Sequence, residues 1–252
     1  MQYTVDLNAD LGESTHTKRF PHEAEIFPYL SSCNIACGFH GGDPIFIEKA
    51  ILQALEHGLR IGAHPSYPER ENFGRMPMEL TAAAQQAMLR YQVSALKGMV
   101  ESLGGQLSYV KPHGALYHTL CRDERQAQLA VAVFHSIDPN LQVMGLPDSA
   151  LARAASDTGL GYIREGFADR RYAPDGQLLS RQQPGAVLHN PAEVVGQVRQ
   201  ILMEGMVTTN TGARLPLQVD SLCVHGDNPM AVPILQALDH FFRQSGIQKG
   251  NL

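Results

Sequence analysis

The sequence predicts an α/β fold in which a parallel sheet of seven strands closes into a β/α barrel, and three observations predict it. Short apolar or β-branched runs suited to buried parallel strands alternate with amphipathic helical stretches along the chain. Six of the apolar runs stop at polar clusters rich in Gly and Pro, the pattern expected where strand ends line one face of a barrel. The length, 252 residues, suits a barrel of ~250 residues built as one domain. No internal repeat, low-complexity tract or linker interrupts it, so residues 1–252 read as a single β/α-barrel domain.

Taken in order, the strands are Tyr3 to Asn8, Ser32 to Cys37, Leu59 to Ala63, Leu107 to Lys111, Leu141 to Leu146, Gly161 to Glu165 and Ser221 to His225. Each is short, and each is rich in Val, Ile, Leu or aromatic residues with few charges, as a strand covered on both faces requires. Helical patterns run from Pro44 to His57, Glu79 to Leu103, Asp123 to Ile137, Ser149 to Thr158, Pro191 to Glu204 and Pro229 to Gln244. Their starts carry capping chemistry: Asp43-Pro44, Asn190-Pro191 and Asn228-Pro229 place an acceptor side chain before a proline at the first helical position. Glu193 completes a capping box with Asn190, and Gly58 and Gly104 follow helix ends. The stretch Asp169 to Leu188 breaks the rhythm. Its Tyr172-Ala173-Pro174-Asp175-Gly176 turn, flanked by extended pieces, reads as a hairpin over the barrel mouth.

Composition narrows the function classes. With 20 basic against 25 acidic residues, a net charge of -5 and 44% hydrophobic residues, the chain is that of an ordinary water-soluble globule with no attraction for nucleic acid. No run approaches the ~18 apolar residues of a membrane span, and Met1 to Val5 carries no signal-peptide pattern, so a cytoplasmic location is expected. Cys33, Cys37, Cys121 and Cys223 lack metal-finger or redox spacing and read as reduced, buried small side chains.

The chemistry lies in the clusters. Asp6, Asn8 and Asp10 alternate with Leu7, Ala9 and Leu11, so an extended backbone aims all three polar groups into the barrel. Asp6, deepest, reads as a structural hydrogen-bonder; Asp10 and Glu13 read as functional. His40, His64, His113 and His225 each follow a different strand, and four converging imidazoles point to acid–base work near neutral pH. A divalent metal is the rival reading, weakened by the absence of His-Glu-x-x-His or His-x-x-x-His. Lys111 shares its strand face with His113 and needs an anionic partner, either Asp10, Glu13 or Glu165, or a substrate anion. The Gly38, Gly41 and Gly42 turn before the Asp43-capped helix can offer backbone N–H groups to an oxyanion, and no P-loop is present. Arg70, Arg75, Arg164, Arg170 and Arg171 are candidate anion clamps.

The motifs Asp6-Leu7-Asn8-Ala9-Asp10-Leu11-Gly12-Glu13, Asn34 to Pro44, Gly62 to Pro68, Lys111 to Tyr117, Glu165 to Arg170 and His225-Gly226-Asp227 together closely resemble the LamB/YcsF family of bacterial 5-oxoprolinase A subunits, over nearly the whole chain. The resemblance implies a distorted seven-stranded barrel of the glycoside hydrolase and deacetylase type. It implies ATP-dependent opening of 5-oxo-L-proline to L-glutamate, with ATP and Mg2+ as cosubstrate and ion and with the B and C subunits as partners. Met76 and His118 stand where many relatives are expected to carry Arg and Asn. On this reading His64 or His113 transfers protons with Asp10 or Glu13 orienting it. Lys111 and the Gly41-Gly42 turn hold developing negative charge, and Arg70 or Arg170 clamps the substrate carboxylate. Asn8, Asn34, His40, Tyr117, Glu165, His225 and Asp227 complete the substrate site. Two alternatives remain open on the sequence: a metal-dependent hydrolase or deacetylase acting alone, and a non-catalytic binding component of the complex.

Overall fold

The structure, a computed structural model, describes residues 4–250. Seven parallel strands close a barrel: β1 (Thr4–Leu11), β2 (Ser32–Ala36), β3 (Arg60–His64), β4 (Leu107–Val110), β5 (Gln142–Gly145), β6 (Tyr162–Phe167) and β9 (Ser221–Cys223), which returns to pair with β1. Between β6 and β9 lie β7 (Met206–Thr208) and β8 (Arg214–Pro216), an antiparallel hairpin that the sequence reading missed because each strand is only three residues long. A last strand, β10 (Gln248–Lys249), joins the edge of β1 ahead of β9. Tyr3, the first residue of the expected first strand, lies outside the described residues.

The helices are α1 (Glu23–Ile26), α2 (Pro44–Glu56), α3 (Ala82–Ser102), α4 (Gly114–Arg122), α5 (Glu124–Ile137), α6 (Ala150–Thr158), α7 (Pro191–Glu204) and α8 (Ala231–Ser245). Asp43 and Asn190 cap α2 and α7 through Phe46 N–H and Ala192 N–H as their sequence positions require. Asn228 does not cap α8, which begins three residues later; its side chain serves the barrel mouth instead. α4 was also missed, since its nine residues follow directly on a polar cluster and its start carries no capping side chain.

The apolar core forms outside the barrel wall, where Leu7, Ala9, Leu11, Ile35 and Ala63 pack against the helices. A separate small cluster of Tyr109, Met144 and Ile163 plugs the interior. Tyr109 is admitted there by Gly62, since any Cβ at position 62 would lie 2.2 Å from its ring. Above that plug the interior is polar, and there the functional side chains gather.

Candidate active site

The site rests on a polar floor. Asp6, fully buried, accepts hydrogen bonds from Ser31 Oγ and Ser32 Oγ at 2.7 Å and from Ser221 Oγ, so it is the structural group its position suggests. Asn8 donates to Ser221 Oγ at 2.8 Å and accepts from Asn34 Nδ2 at 2.7 Å; Asn34 also donates to Asp10 Oδ1 at 2.8 Å. Both amides are thus spent beneath the cavity and neither faces it, which corrects their expected contact with substrate.

One step up, Lys111 Nζ stands 3.0 Å from Asp10 Oδ1 and 2.7 Å from Glu165 Oε1. Burial disfavours every charge in this group. For Asp10, His64 and Lys111 outweigh it and hold the carboxyl well below its usual range, and for Lys111 the two carboxylates outweigh it and push the ammonium well above. Burial wins at Glu165, raising its pKa against the pull of Lys111. One cation between two carboxylates cannot neutralise both. Glu165 lies under the cavity rather than in its wall, while Tyr117 lines the wall with its hydroxyl unpartnered.

The histidines close the inner end. His64 Nδ1 lies 2.7 Å from Lys111 O, and His113 Nε2 lies 2.8 Å from Phe73 O, so both of these nitrogens carry hydrogens and donate. The remaining nitrogens, His64 Nε2 and His113 Nδ1, face each other at 2.9 Å, with Asp10 Oδ2 3.3 Å from the former and Glu13 Oε1 3.8 Å from the latter. His40 stacks on His113 with ring centroids 3.7 Å apart and reaches Glu13 Oε1 at 3.0 Å. Burial holds His40 and His113 in the neutral form and pushes the Glu13 carboxyl well up. His40 supports the wall from behind rather than lining the cavity, which corrects its assignment to substrate. Phe73, which sequence reasoning overlooked, adopts φ 60°, a left-handed conformation unusual for an aromatic residue, and this aims its carbonyl at His113.

The Gly41-Gly42 turn and Arg70 do other work than expected. Gly42, at φ 80°, donates its N–H to Glu13 O at 3.0 Å, and a Cβ on Gly41 would lie 3.0 Å from the same carbonyl. The turn packs behind Glu13 and offers no free oxyanion donor to the cavity. Arg70 donates to the carbonyls of Gly38, Phe39 and Gly42, bracing that turn from outside.

The cavity itself, of about 470 Å³, opens above this cluster at the C-terminal ends of the strands, a size usual for small-molecule sites. Asp10, Glu13, His64, Lys111 and His113 form its inner end, and Tyr117, Arg170, His225 and Asp227 line it further out. Asp169, fully buried, holds His225 Nδ1 at 2.7 Å and is itself held by Asn228 Nδ2 at 3.0 Å. Asp227 pairs with Arg75 and, at 3.2 Å, with Arg181. Arg164 and Arg171 are occupied elsewhere, by Asp220 and Glu193. Arg170 differs from all of these. It is 4% exposed, its head donates only to the carbonyls of Ala186 and Leu179, and no carboxylate partners it. Burial and the neighbouring Arg181 bring its guanidinium down to about 10, still charged at neutral pH. Arg122 and His118 add to the same wall, and burial with the arginine charges drops His118 to about 4. Arg181 and Arg122 had no sequence signal. Residues 170–188 do cross the mouth, through bridges Arg170 to Val187 and Tyr172 to Leu178, and Leu178 to Gln182 form part of the cavity wall.

Two groups of side chains have the ligand spacing of a metal site: Glu13, His40, His64 and His113, and separately Asp10, Cys223 and His225, each set bringing its atoms within 4.8 Å of one another.

The LamB/YcsF family model matches residues 5–252. The chain belongs to the LamB/YcsF family. It is 42% identical over 243 residues to a 5-oxoprolinase A subunit of Agrobacterium fabrum, covering 96% of this chain and 95% of that one. It is 43% identical over 238 residues to the 5-oxoprolinase A subunit of Methylococcus capsulatus, covering 94% and 92%. Among solved structures, the lactam utilization protein of Thermus thermophilus superposes over the full length of both chains with a TM-score of 0.92 at 37% identity. The resemblance drawn from the motifs therefore holds along the whole LamB/YcsF chain, and so does the seven-stranded barrel. Among the described residues no helix is long and apolar enough to cross a membrane.

Proposed function

We propose that this chain is the A subunit of an ATP-dependent 5-oxoprolinase, which opens the cyclic amide of 5-oxo-L-proline to L-glutamate while ATP is hydrolysed to ADP and phosphate. Its partners are the B and C subunits in a cytoplasmic complex, with Mg2+ accompanying ATP. The observation that carries the reading is a cavity with two unlike ends: a buried guanidinium without a carboxylate, Arg170, and across from it a dense cluster of carboxylates, imidazoles and an ammonium. A 5-oxoproline molecule is likewise two-ended, with a carboxylate at one side of the ring and an amide at the other. Arg170 suits the carboxylate through a two-pronged contact, which leaves the amide against Lys111 and the histidines.

A five-membered lactam is an unstrained amide with a poor leaving nitrogen. Transfer of a phosphoryl group from ATP to the amide oxygen releases ADP and makes the ring carbon attackable. A first water then adds and the C–N bond breaks with the nitrogen leaving protonated, which gives an acyl phosphate, and a second water cleaves that acyl phosphate to glutamate and phosphate. Lys111 is suited to hold charge developing on the amide oxygen, and the Asp10, Glu13, His64 and His113 cluster to manage the protons of the water and the nitrogen. The outer wall, with Arg75, Arg122 and Arg181 beside Arg170 and only Asp227 against them, suits the charge of a phosphoryl group. Nothing in the chain resembles a P-loop, which favours the partner chains as the place where the nucleotide is held.

Reconstitution tests this. The purified chain alone should turn over little or no 5-oxoproline, and addition of the B and C subunits with ATP and Mg2+ should restore glutamate formation with one ADP per ring opened. Efficient turnover by the chain alone without ATP would refute it.

A further inference from the structure

We propose that the inner cluster is a binding site for one divalent transition-metal ion of the Zn2+ type, ligated by His64 Nε2, His113 Nδ1 and Glu13 Oε1, three members of the first group, with Asp10 Oδ2, 3.3 Å from His64 Nε2, as the fourth ligand. The first reason lies in where the hydrogens must be. Each histidine donates its far N–H to a backbone carbonyl, which cannot itself donate, so the second nitrogen of each ring, Nε2 of His64 and Nδ1 of His113, is the one left facing inward. At 2.9 Å these two nitrogens require a positive centre between them, either a proton or a metal ion. Pinning of the far N–H by an acceptor is also how metal-bound histidines are oriented.

A single proton would satisfy the two nitrogens but not the rest. Two carboxylate oxygens also approach the pair, Asp10 Oδ2 at 3.3 Å from His64 Nε2 and Glu13 Oε1 at 3.8 Å from His113 Nδ1, and a proton bridges only two atoms. Three of the six ligand–ligand edges are 2.9, 3.3 and 3.8 Å. A tetrahedron with bonds of about 2.0–2.1 Å has edges of about 3.3–3.4 Å, inside that range. The supporting contacts follow the same logic: Asn34 and Lys111 occupy Asp10 Oδ1 and leave Oδ2 free, and His40 Nε2 steadies Glu13. Two imidazoles select a borderline ion such as Zn2+ or Co2+ over the Mg2+ that travels with ATP. All four ligands border the cavity, so the ion can take substrate as a further ligand. His64 and His113 then act as ligands, and the ion polarises the amide in place of a free imidazole pair. The helix motifs sought in the sequence could not reveal such a site, because its ligands come from β1, β3 and the residues just after β1 and β4.

The experiment uses the full chain, stripped with a chelator and dialysed, then titrated with Zn2+ and with Co2+ and checked by elemental analysis. One equivalent should bind, and Co2+ should give the visible absorption of a low-symmetry N/O site, unchanged by millimolar Mg2+. His113→Ala and His64→Ala should each weaken binding about 100-fold or more and abolish the Co2+ spectrum. Glu13→Gln, which keeps shape and hydrogen bonding, covers the case in which a histidine variant fails to fold and should weaken binding in the same way. Failure of the wild-type chain to take up either ion stoichiometrically would overturn the proposal, and so would full affinity in folded variants. Binding is read without turnover, so its failure leaves the 5-oxoprolinase reading standing. A metal-loaded chain in an inactive complete complex would refute that reading alone.

Discussion

Replacing Lys111 with Met keeps the aliphatic stem and deletes the charge. The ammonium is 2% exposed and contacts Asp10 at 3.0 Å and Glu165 at 2.7 Å. At an effective dielectric constant of about 20 each contact is worth about 6 kcal/mol of Coulomb attraction, most of it offset by dehydration. Removing one partner of such a buried group costs about 3–5 kcal/mol, and in a protein of this size about 2–4 °C of melting temperature follows each kcal/mol. Lys111→Met should therefore melt about 6–20 °C lower, and the assembled enzyme should lose about 100-fold or more of its ATP-dependent turnover. The structural and chemical losses can be separated. Glu165 already has a raised pKa, so Glu165→Gln mimics its neutral form and removes the uncompensated charge. The double variant Lys111→Met/Glu165→Gln should regain at least half of the lost melting temperature while turnover stays low. Differential scanning calorimetry and glutamate release measure the two. If turnover returns along with stability, Lys111 is only a buried ion-pair partner and its role at the amide oxygen is wrong.

Arg170→Lys should raise KM for 5-oxoproline about tenfold or more with kcat little changed, because an ammonium cannot reproduce the two-pronged contact; steady-state kinetics of the complete complex would show it, and an unchanged KM would move the carboxylate elsewhere. Gly74→Ala should cost about 1–2 kcal/mol, read as a melting drop of about 2–8 °C, since Gly74 sits at φ 67° and its Cβ would lie 2.8 Å from His40 Cβ. For Asp169, burial opposes its charge but His225 and Asn228 outweigh burial and lower its pKa. Its contribution to stability is thus full above the unfolded value of about 3.9 and is lost as pH falls through the lower folded value. Asp169→Asn should flatten the acid limb of a urea-unfolding series below about pH 4, and an unaltered limb would contradict the assignment.

The barrel was legible because its strands and crossover helices write strong, repetitive patterns, and because strand ends in such a fold share one face. Asp10, His64, Lys111 and His113 could be placed together on that basis alone. Asn8 and Asn34 could not be separated from them, since they share the inward phase of the strands and differ only in depth along the barrel. Arg70 misled for the converse reason: a guanidinium near a polar cluster looks like a clamp, yet three backbone carbonyls claim it. Arg181 and Phe73 were invisible because their positions depend on how loops cross the mouth, and no periodicity encodes that. Asn228 looked like a helix cap; its Oδ1 does accept the Met230 N–H at 3.1 Å, but α8 starts only at Ala231, and its Nδ2 steadies Asp169, a role that only tertiary packing assigns.

The position of the cluster ties stability to chemistry. In a barrel interior filled by apolar layers, each inward residue would stabilise the fold by burial alone. Here Tyr109, Met144 and Ile163 do so, but the interior above them carries Asp6, Asn8, Asn34, Asp10, Lys111 and Glu165, all at most 8% exposed. Polar groups at that depth are tolerated only while every partner is present. Substitutions at the floor, such as Asn34→Ala, should therefore lower turnover through Asp10 and Lys111 even though Asn34 never faces the cavity. Those at the outer wall should change ligand affinity with little effect on melting. A proton-inventory or activity screen that ignores melting temperature would confuse the two classes, whereas paired measurements at Asn34 and Arg181 distinguish them. Equal melting losses at both positions would mean that the outer arginines, too, are part of the framework, and the separation of the cavity into a structural inner end and a ligand-binding outer end would fail.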